Sequence, residues 1–192
     1  ELHILDNGSS DRTAELIQKE IKSFPVLTTF EQNHSNIGFA PGHNELFKRF
    51  GTDSDLILLL NQDVQLNPDC LELMARFMSK SKQTASCSTR LMQMEEPDKI
   101  DCLGLKIFKS GRVIDWKFGK KWEEPSEVLE DGALEVFGVS GTVACLRTDA
   151  VKSLPASGTI FNPRFFAYKE DVDLAWKLRL TGWRSYTLLD AV

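Results

Sequence analysis

Five consecutive apolar residues, Leu56, Ile57, Leu58, Leu59 and Leu60, constrain this chain more than any other stretch. The run has strand length and no alternation. It predicts a strand that is apolar on both faces, usually a central parallel strand covered by helices. The run stops abruptly at Asn61-Gln62-Asp63. Open α/β sheets bind ligands beyond the carboxyl ends of their strands, and Asp63 stands there. Taken alone, Asp63 is as readily a turn-former as a ligand-facing carboxylate. Asn67-Pro68-Asp69 follows, with Asn67 suited to cap a helix and Pro68 to its first turn.

The rest of the chain alternates strand and helix patterns around this run. Leu2 to Leu5 reads as a strand, and Asp6-Asn7-Gly8-Ser9-Ser10-Asp11 as a turn with an N-cap. Thr13 to Phe24 carries Ala14, Leu16, Ile17, Ile21 and Phe24 at helical spacing, and Pro25 ends it. Val26 to Phe30 is a short strand. Asn33 to Gly38 is a loop, and Asn44 to Phe50 a helix closed by Gly51. Pro68 to about Lys80 is a helix, and Ala85 to Met94 holds a strand. Asp98 to Lys121 mixes Gly with β-formers as a hairpin-like insertion, and Lys120 to Asp131 is charged and exposed. Leu134 to Val139 and Val143 to Leu146 are extended on either side of Ser140-Gly141-Thr142, and Thr148 to Leu154 is a short helix. A last helix begins near Glu170-Asp171-Val172-Asp173 and stops at Gly182, with Val172, Ala175, Trp176 and Leu180 on one stripe. Three carboxylates within four positions exceed what capping a helix N-terminus requires.

Composition narrows the class. The 192 residues suffice for one domain with a real core. A net charge of -5 argues against a broad basic face for nucleic acid. Cys70, Cys87, Cys102 and Cys145 are widely spaced without a CxxC, so neither a zinc site nor a disulfide framework is indicated. A reduced, cytoplasmic compartment is the default expectation. No apolar run is long enough to span a membrane.

Four separated pieces fit one pattern. They are ILDNGSSD (Ile4 to Asp11), NIGFAPGHN (Asn36 to Asn44), LLLNQDVQLNPD (Leu58 to Asp69) and FFAYKEDVDLAWKLRLTGW (Phe165 to Trp183). In this order they resemble the inverting family 2 glycosyltransferases of GT-A fold, most closely the bacterial rhamnosyltransferase-like branch. The resemblance implies a single α/β, Rossmann-like domain with a mostly parallel central sheet. Residues 1–95 would form the donor-binding part, and 96–192 the acceptor-binding and catalytic-base part. It also implies a further strand before Leu2, ending in a motif like TYN, and a His beyond the last apolar run. The sequence is therefore expected to be a fragment at both ends, with an exposed strand edge or gap near Leu2 to Leu5 and an incomplete nucleotide site.

The same resemblance assigns roles. Asp6 contacts the base or ribose of a nucleotide-diphosphate sugar (dTDP, UDP or GDP), chemistry a carboxylate suits as an acceptor. Asn7, Ser9 and Asp11 support that loop, although an Asx-turn and N-cap explain the same residues. Asn36 and Gly38 line the donor pocket, Gly38 allowing close backbone approach. Asn44 is either part of that pocket or a helix cap. Asn61-Gln62-Asp63 occupies the place of a DXD-like motif that keeps only its last acid. Asp63 is expected to hold Mg2+ or Mn2+ between the phosphates, weakly without nucleotide, because Asn61 lowers the local charge. Asp171 is the expected base and Glu170 its helper. Asp173 holds the helix start, and Gly141 leaves space for donor or acceptor sugar. Lys177 pairs with a carboxylate, approaches a phosphate, or is simply solvated. Trp176 and Trp183 read as core before sugar platform.

The acceptor would be a glycan or lipid-linked saccharide hydroxyl in cell-surface polysaccharide biosynthesis, possibly at the inner face of the membrane, with rhamnose a candidate donor sugar. Two other readings stay open: a sugar nucleotidyltransferase, and a non-catalytic carbohydrate- or nucleotide-binding relative.

Overall fold

The computed structural model describes residues 1–129, 131–155 and 158–192. The α/β reading holds, and the sheet is mixed. Strands β1 (Leu2–Asp6) and β2 (Thr28–Gln32) pair in parallel, as a two-stranded sheet, around helix α1 (Thr13–Glu20). A second sheet of five strands has β3 (Leu56–Leu60) at one edge. Next to it runs β10 (Val143–Arg147), then β4 (Thr84–Thr89), β11 (Arg184–Leu188) and β9 (Ala133–Val136). Within it β4 and β11 are parallel, and the other neighbours are antiparallel. Two small antiparallel pairs hang from this sheet. They are β5 (Leu91–Met92) with β6 (Ile100–Cys102), and β7 (Leu105–Ile107) with β8 (Val113–Asp115). The remaining helices are α2 (Phe39–Leu46), α3 (Cys70–Lys80), α4 (Thr148–Lys152) and α5 (Glu170–Leu180).

The pleat explains the core. Along β9 and β10, Leu134, Val136, Ala144 and Leu146 point into one apolar cluster. Their neighbours Ala133, Val143 and Cys145 point into another. The first lies against α4 and α5, and the second against α3. Strand β3 serves both: Ile57 and Leu59 meet the first cluster, Leu56 and Leu58 the second. Its unbroken apolar run is thereby accounted for. Its position differs from expectation, because β3 is an edge strand antiparallel to β10, and only Leu59 is fully buried. The free edge expected near Leu2 to Leu5 is present as a β1 paired on one side only. Helix α2 spans both sheets. Its Gly42 lies against Leu5, and in the turn that follows it Phe50 stacks on His3 at 3.9 Å while Gly51 lies against Ile57.

Two helices differ from their sequence patterns. Helix α2 begins at Phe39 rather than Asn44, because Pro41 in the first turn sacrifices no intrahelical hydrogen bond. Helix α5 buries Glu170, Leu174, Ala175 and Leu178, while Trp176 and Leu180 are 40% and 78% exposed. The stripe expected through Trp176 and Leu180 is therefore not the buried one. The helix is apolar on several faces, so its pattern alone does not choose one. Gly182, at φ +88°, ends α5 in the left-handed region as expected. Among the described residues, no helix is long and apolar enough to cross a membrane.

Candidate active site

The carboxyl end of β1 delivers Asp6 into a buried position, 5% exposed. Its Oδ1 accepts hydrogen bonds from the Ser9 N–H at 3.0 Å and the Ser9 hydroxyl at 2.5 Å. Its Oδ2 is buried without a partner among the described residues. A buried carboxylate oxygen left unmatched is costly, and a ligand donor would satisfy it. Beside it, Gly8, Ser9, Gln32, Asn33 and His34 line an open, polar cleft.

Asn7 builds the opposite wall. Its Nδ2 donates to Asn36 Oδ1 at 3.0 Å and to the Gly38 carbonyl at 3.1 Å. Its Oδ1 accepts from Asn33 Nδ2 at 3.2 Å and the Ile37 N–H at 3.1 Å. Asn36 Oδ1 also takes the Gly38 N–H at 2.8 Å. The 33–38 loop is thus pinned to the end of β1 by side-chain amides. Gly38 has φ +99°, and a Cβ there would fall 2.6 Å from the Phe166 carbonyl oxygen. Only glycine satisfies both conditions. Asp11 is exposed and accepts from the Thr13 N–H and hydroxyl at 3.0 and 2.6 Å, at the start of α1. Those bonds lower its carboxyl pKa, the hydroxyl most. Asp11 thus closes an Asx-turn leading into α1, whose N-cap position, Arg12, makes no side-chain cap bond.

Asn44 is placed away from this wall. It lies inside α2, 8% exposed. Its Nδ2 donates to the Phe161 carbonyl at 2.9 Å, and its Oδ1 accepts from the Ile160 and Phe161 N–H groups, both at 2.9 Å. These bonds make it a clamp on the 160–161 segment, and its place inside α2 rules out the helix cap.

The acidic turn after β3 and the start of α5 are brought together by one turn. The Asn61 N–H donates to the Thr142 carbonyl at 3.0 Å. Next to Thr142, the Gly141 N–H donates to Asp171 Oδ2 at 3.4 Å. Asp171 Oδ1 takes the Val172 N–H at 2.7 Å. Burial raises the Asp171 carboxyl above the ordinary carboxylate value, with the Val172 and Gly141 N–H groups opposing and Asp115 reinforcing. Glu170, 6% exposed, is raised by burial first and then by Asp171, and its Oε2 is buried without a partner among the described residues. Gly141 does not leave open space. A Cβ there would lie 3.3 Å from the Phe39 ring, so protein fills the room expected for a sugar. Asp63 is exposed at the turn. Lys177 is bonded to Asp173 one turn away, the carboxylate pairing among the roles open to it. Trp183 packs against the main core with its Nε1 on Ser153 Oγ at 3.0 Å, and Trp176 lies edge-on to Phe137.

Two carboxylates not singled out from the sequence join this acidic face. Asp101, in β6, is raised by burial first, then by Asp115 and Asp63. Asp115, at the end of β8, acts on both Asp101 and Asp171. The β7–β8 hairpin reaches α5 because Leu105 packs with Ala175 and Val172. A signal was available in the alternation Ile100-Asp101-Cys102, where a carboxylate interrupts two buried neighbours. Among the described residues, no three metal-ligating side chains converge. An exposed Asp63 with Asp101 near it fits a hard cation that takes most of its ligands from phosphates and water.

Comparisons with known proteins bear on the family and the fold. A family model described as glycosyl transferase family 2 matches residues 1–118. No curated protein sequence matches. Among solved structures, GalNAc-T7 with UDP, GalNAc and Mn2+ superposes with a TM-score of 0.74 at 11% identity, over 100% of this chain and 36% of that one. The mannosyltransferase PcManGT from Pyrobaculum calidifontis, in complex with GDP-Man and Mn2+, gives 0.65 at 13% identity over 99% and 46%. S. aureus TarS in complex with UDP gives 0.63 at 18% identity over 99% and 48%. At these identities the likeness is one of fold, and the chain spans less than half the length of each.

Proposed function

The chain belongs to glycosyl transferase family 2, and from that premise we propose that it transfers a sugar from a nucleotide-diphosphate donor to a saccharide hydroxyl, with inversion. The observation that carries this reading is the hydrogen-bonded link from the Asn61–Asp63 turn through Thr142 and Gly141 to Asp171. It sets a base beside the place where a diphosphate would leave. Asp6 binds the nucleoside through its unmatched Oδ2, and Asn7 and Asn36 hold the loop that lines that pocket. Asp171 accepts the proton of an acceptor hydroxyl as that oxygen attacks the anomeric carbon. The new C–O bond forms as the bond to the diphosphate oxygen breaks, and its electron pair leaves with the nucleotide. A single displacement needs no enzyme nucleophile and inverts the centre. Burial and the neighbouring Asp115 raise the Asp171 carboxyl and with it its basicity, and Glu170, the buried carboxylate next to it in the chain, would be its helper.

Asp63, with Asp101 beside it, would hold a divalent cation, Mg2+ or Mn2+. Such an ion neutralises charge on the departing diphosphate. The donor we favour is a dTDP-, UDP- or GDP-sugar, with rhamnose a candidate. The acceptor is a saccharide or lipid-linked saccharide of a bacterial surface polysaccharide. Calorimetric titration with dTDP, UDP and GDP, each with and without Mn2+ or Mg2+, tests this. One nucleotide should bind with metal-dependent affinity, and Asp63→Asn should remove the metal-dependent part. Failure of all three to bind would overturn the reading, and tight metal binding by the protein alone would overturn the assignment of Asp63.

A further inference from the structure

Tyr168 is the most exposed of the large apolar or aromatic side chains described, at 85%, and it stands three residues before Asp171. Its backbone is in the left-handed region, φ 68°, and so is that of Lys169, φ 70°. Two successive non-glycine residues there cost free energy, and they persist only where the surroundings enforce them. The enforcement is visible on both sides. The Lys169 carbonyl accepts the Asp173 N–H at 3.0 Å and so fixes the start of α5. Two residues before Tyr168, the Phe166 carbonyl accepts the Ala40 N–H at 3.4 Å, and its ring lies against Gly38 on the donor wall. The segment between these anchors is bent outward and carries a ring into solvent. Nothing in the fold accounts for that ring: among the described residues its hydroxyl has no hydrogen bond.

An acceptor hydroxyl bonded to Asp171 belongs to a sugar ring whose body must lie against whatever adjoins that carboxylate. The strained 166–169 segment adjoins it in the chain. Aromatic side chains offer a flat apolar face and, in tyrosine, a polar edge, which matches the apolar C–H face and hydroxyl rim of a pyranose. The geometry points to Tyr168 as the stacking platform for the acceptor pyranose, a specificity residue for the acceptor that leaves the donor site unaffected. This inference rests on the glycosyl-transfer reading above.

The test is saturation-transfer NMR, irradiating the aromatic protons, with four probes: the methyl pyranosides of rhamnose, mannose, galactose and N-acetylglucosamine. Nucleotide titrations run in parallel. At least one probe should receive saturation on one ring face. Tyr168→Ala should weaken that probe about tenfold, the scale of losing one well-placed aromatic contact. Tyr168→Phe should retain it, and nucleotide binding should be equal in all three proteins. Equal saturation in Tyr168→Ala, or none from any probe, overturns the platform, whatever the nucleotide titrations give. Loss of nucleotide binding in Tyr168→Ala overturns the separation of acceptor from donor. Absence of nucleotide binding in the unmodified protein strikes the proposed function itself, and is read independently of the pyranoside signal.

Discussion

Asn44 offers the sharpest test, because its sequence position and its structural position assign it different jobs. As a donor ligand its loss should weaken nucleotide binding and leave stability alone. As the clamp seen here its loss should do the reverse. Asn44→Ala removes three hydrogen bonds and strands the N–H groups of Ile160 and Phe161 and the carbonyl of Phe161. Ile160 and Phe161 are 2% and 1% exposed, so bulk water does not reach these groups readily. A stranded buried polar group costs about 1–3 kcal/mol. Taking the lower bound for each, since a water can enter the space left by the amide, gives a loss of about 3 kcal/mol. That is a large part of the 5–15 kcal/mol typical of a domain. For a chain of this size it corresponds to a fall of roughly 6–12 °C in Tm.

Urea unfolding followed by tryptophan fluorescence and by circular dichroism would read the loss as a lower midpoint at unchanged slope. Asn44→Asp refines the test. Its carboxylate keeps the two acceptor roles but faces the Phe161 carbonyl without a proton to donate. Burial and that carbonyl both raise the pKa of the introduced carboxyl in the folded state. The folded state then binds the proton more tightly, so the variant gains stability as pH falls, where the protonated carboxyl donates again. A wild-type midpoint in Asn44→Ala together with lost nucleotide binding would refute the clamp and restore the donor role.

Further predictions concern Asp171, the half-buried His43 and Gly38. Asp171→Asn should abolish transfer while nucleotide binding persists, and it should raise Tm. A carboxyl whose folded pKa is raised opposes folding as it ionises, so stability falls as pH rises from the ordinary carboxylate value through the raised one. The variant should flatten that slope, and an Asp171→Asn protein less stable than wild type at neutral pH would contradict the burial cause. His43, held by burial at a pKa of about 4, packs edge-on to Phe39 with ring centroids 4.4 Å apart. Its unfolded form takes up a proton between about 6.5 and the depressed value, so stability should rise with pH across that window. His43→Phe should remove this rise in pH-dependent melting, and an unchanged profile would reject the assignment. Gly38→Ala combines φ +99° with a Cβ 2.6 Å from the Phe166 carbonyl. It should lower Tm and displace the 166–169 segment, read as faster amide exchange at Ala40, whereas wild-type exchange would mean the contact yields freely.

How much of this was legible in the sequence depends on whether the information is local. Leu56–Leu60 was readable as a strand to the residue, because an apolar run ended by Asn61 needs no partner to be recognised. Its place at a sheet edge was not readable, since a run apolar on both faces is equally compatible with a central strand. Asp63 and Glu170-Asp171 are readable as motifs, but in Gly141-Thr142, the turn that joins them, the sequence suggests space for a sugar and gives no sign of the joining bonds. Asn44 escaped because its partners lie 116 and 117 residues away. Asp101 and Asp115 escaped for a similar reason. Their place on the acidic face follows from Leu105 packing on α5, a tertiary contact that no local spacing encodes. The helix at Phe39 was read as starting late, since Pro41-Gly42 resembles a turn until Gly42 is seen against Leu5 and Asn7.

The contacts that shape the site cross between the two parts of the chain expected to bind donor and acceptor. Asn61 meets Thr142, Gly38 meets Phe166, Asn44 holds Ile160 and Phe161, and β3 pairs along its length with β10. Gly38 meets Phe166, and three residues, two of them left-handed, separate Phe166 from Glu170 at the start of α5. The left-handed pair Tyr168-Lys169 is held from both ends, so release at the Gly38 end would let it relax and move the start of α5 away from Gly141. Glycine at 38, where any side chain would part the 33–38 loop from Phe166, keeps that end of the segment held.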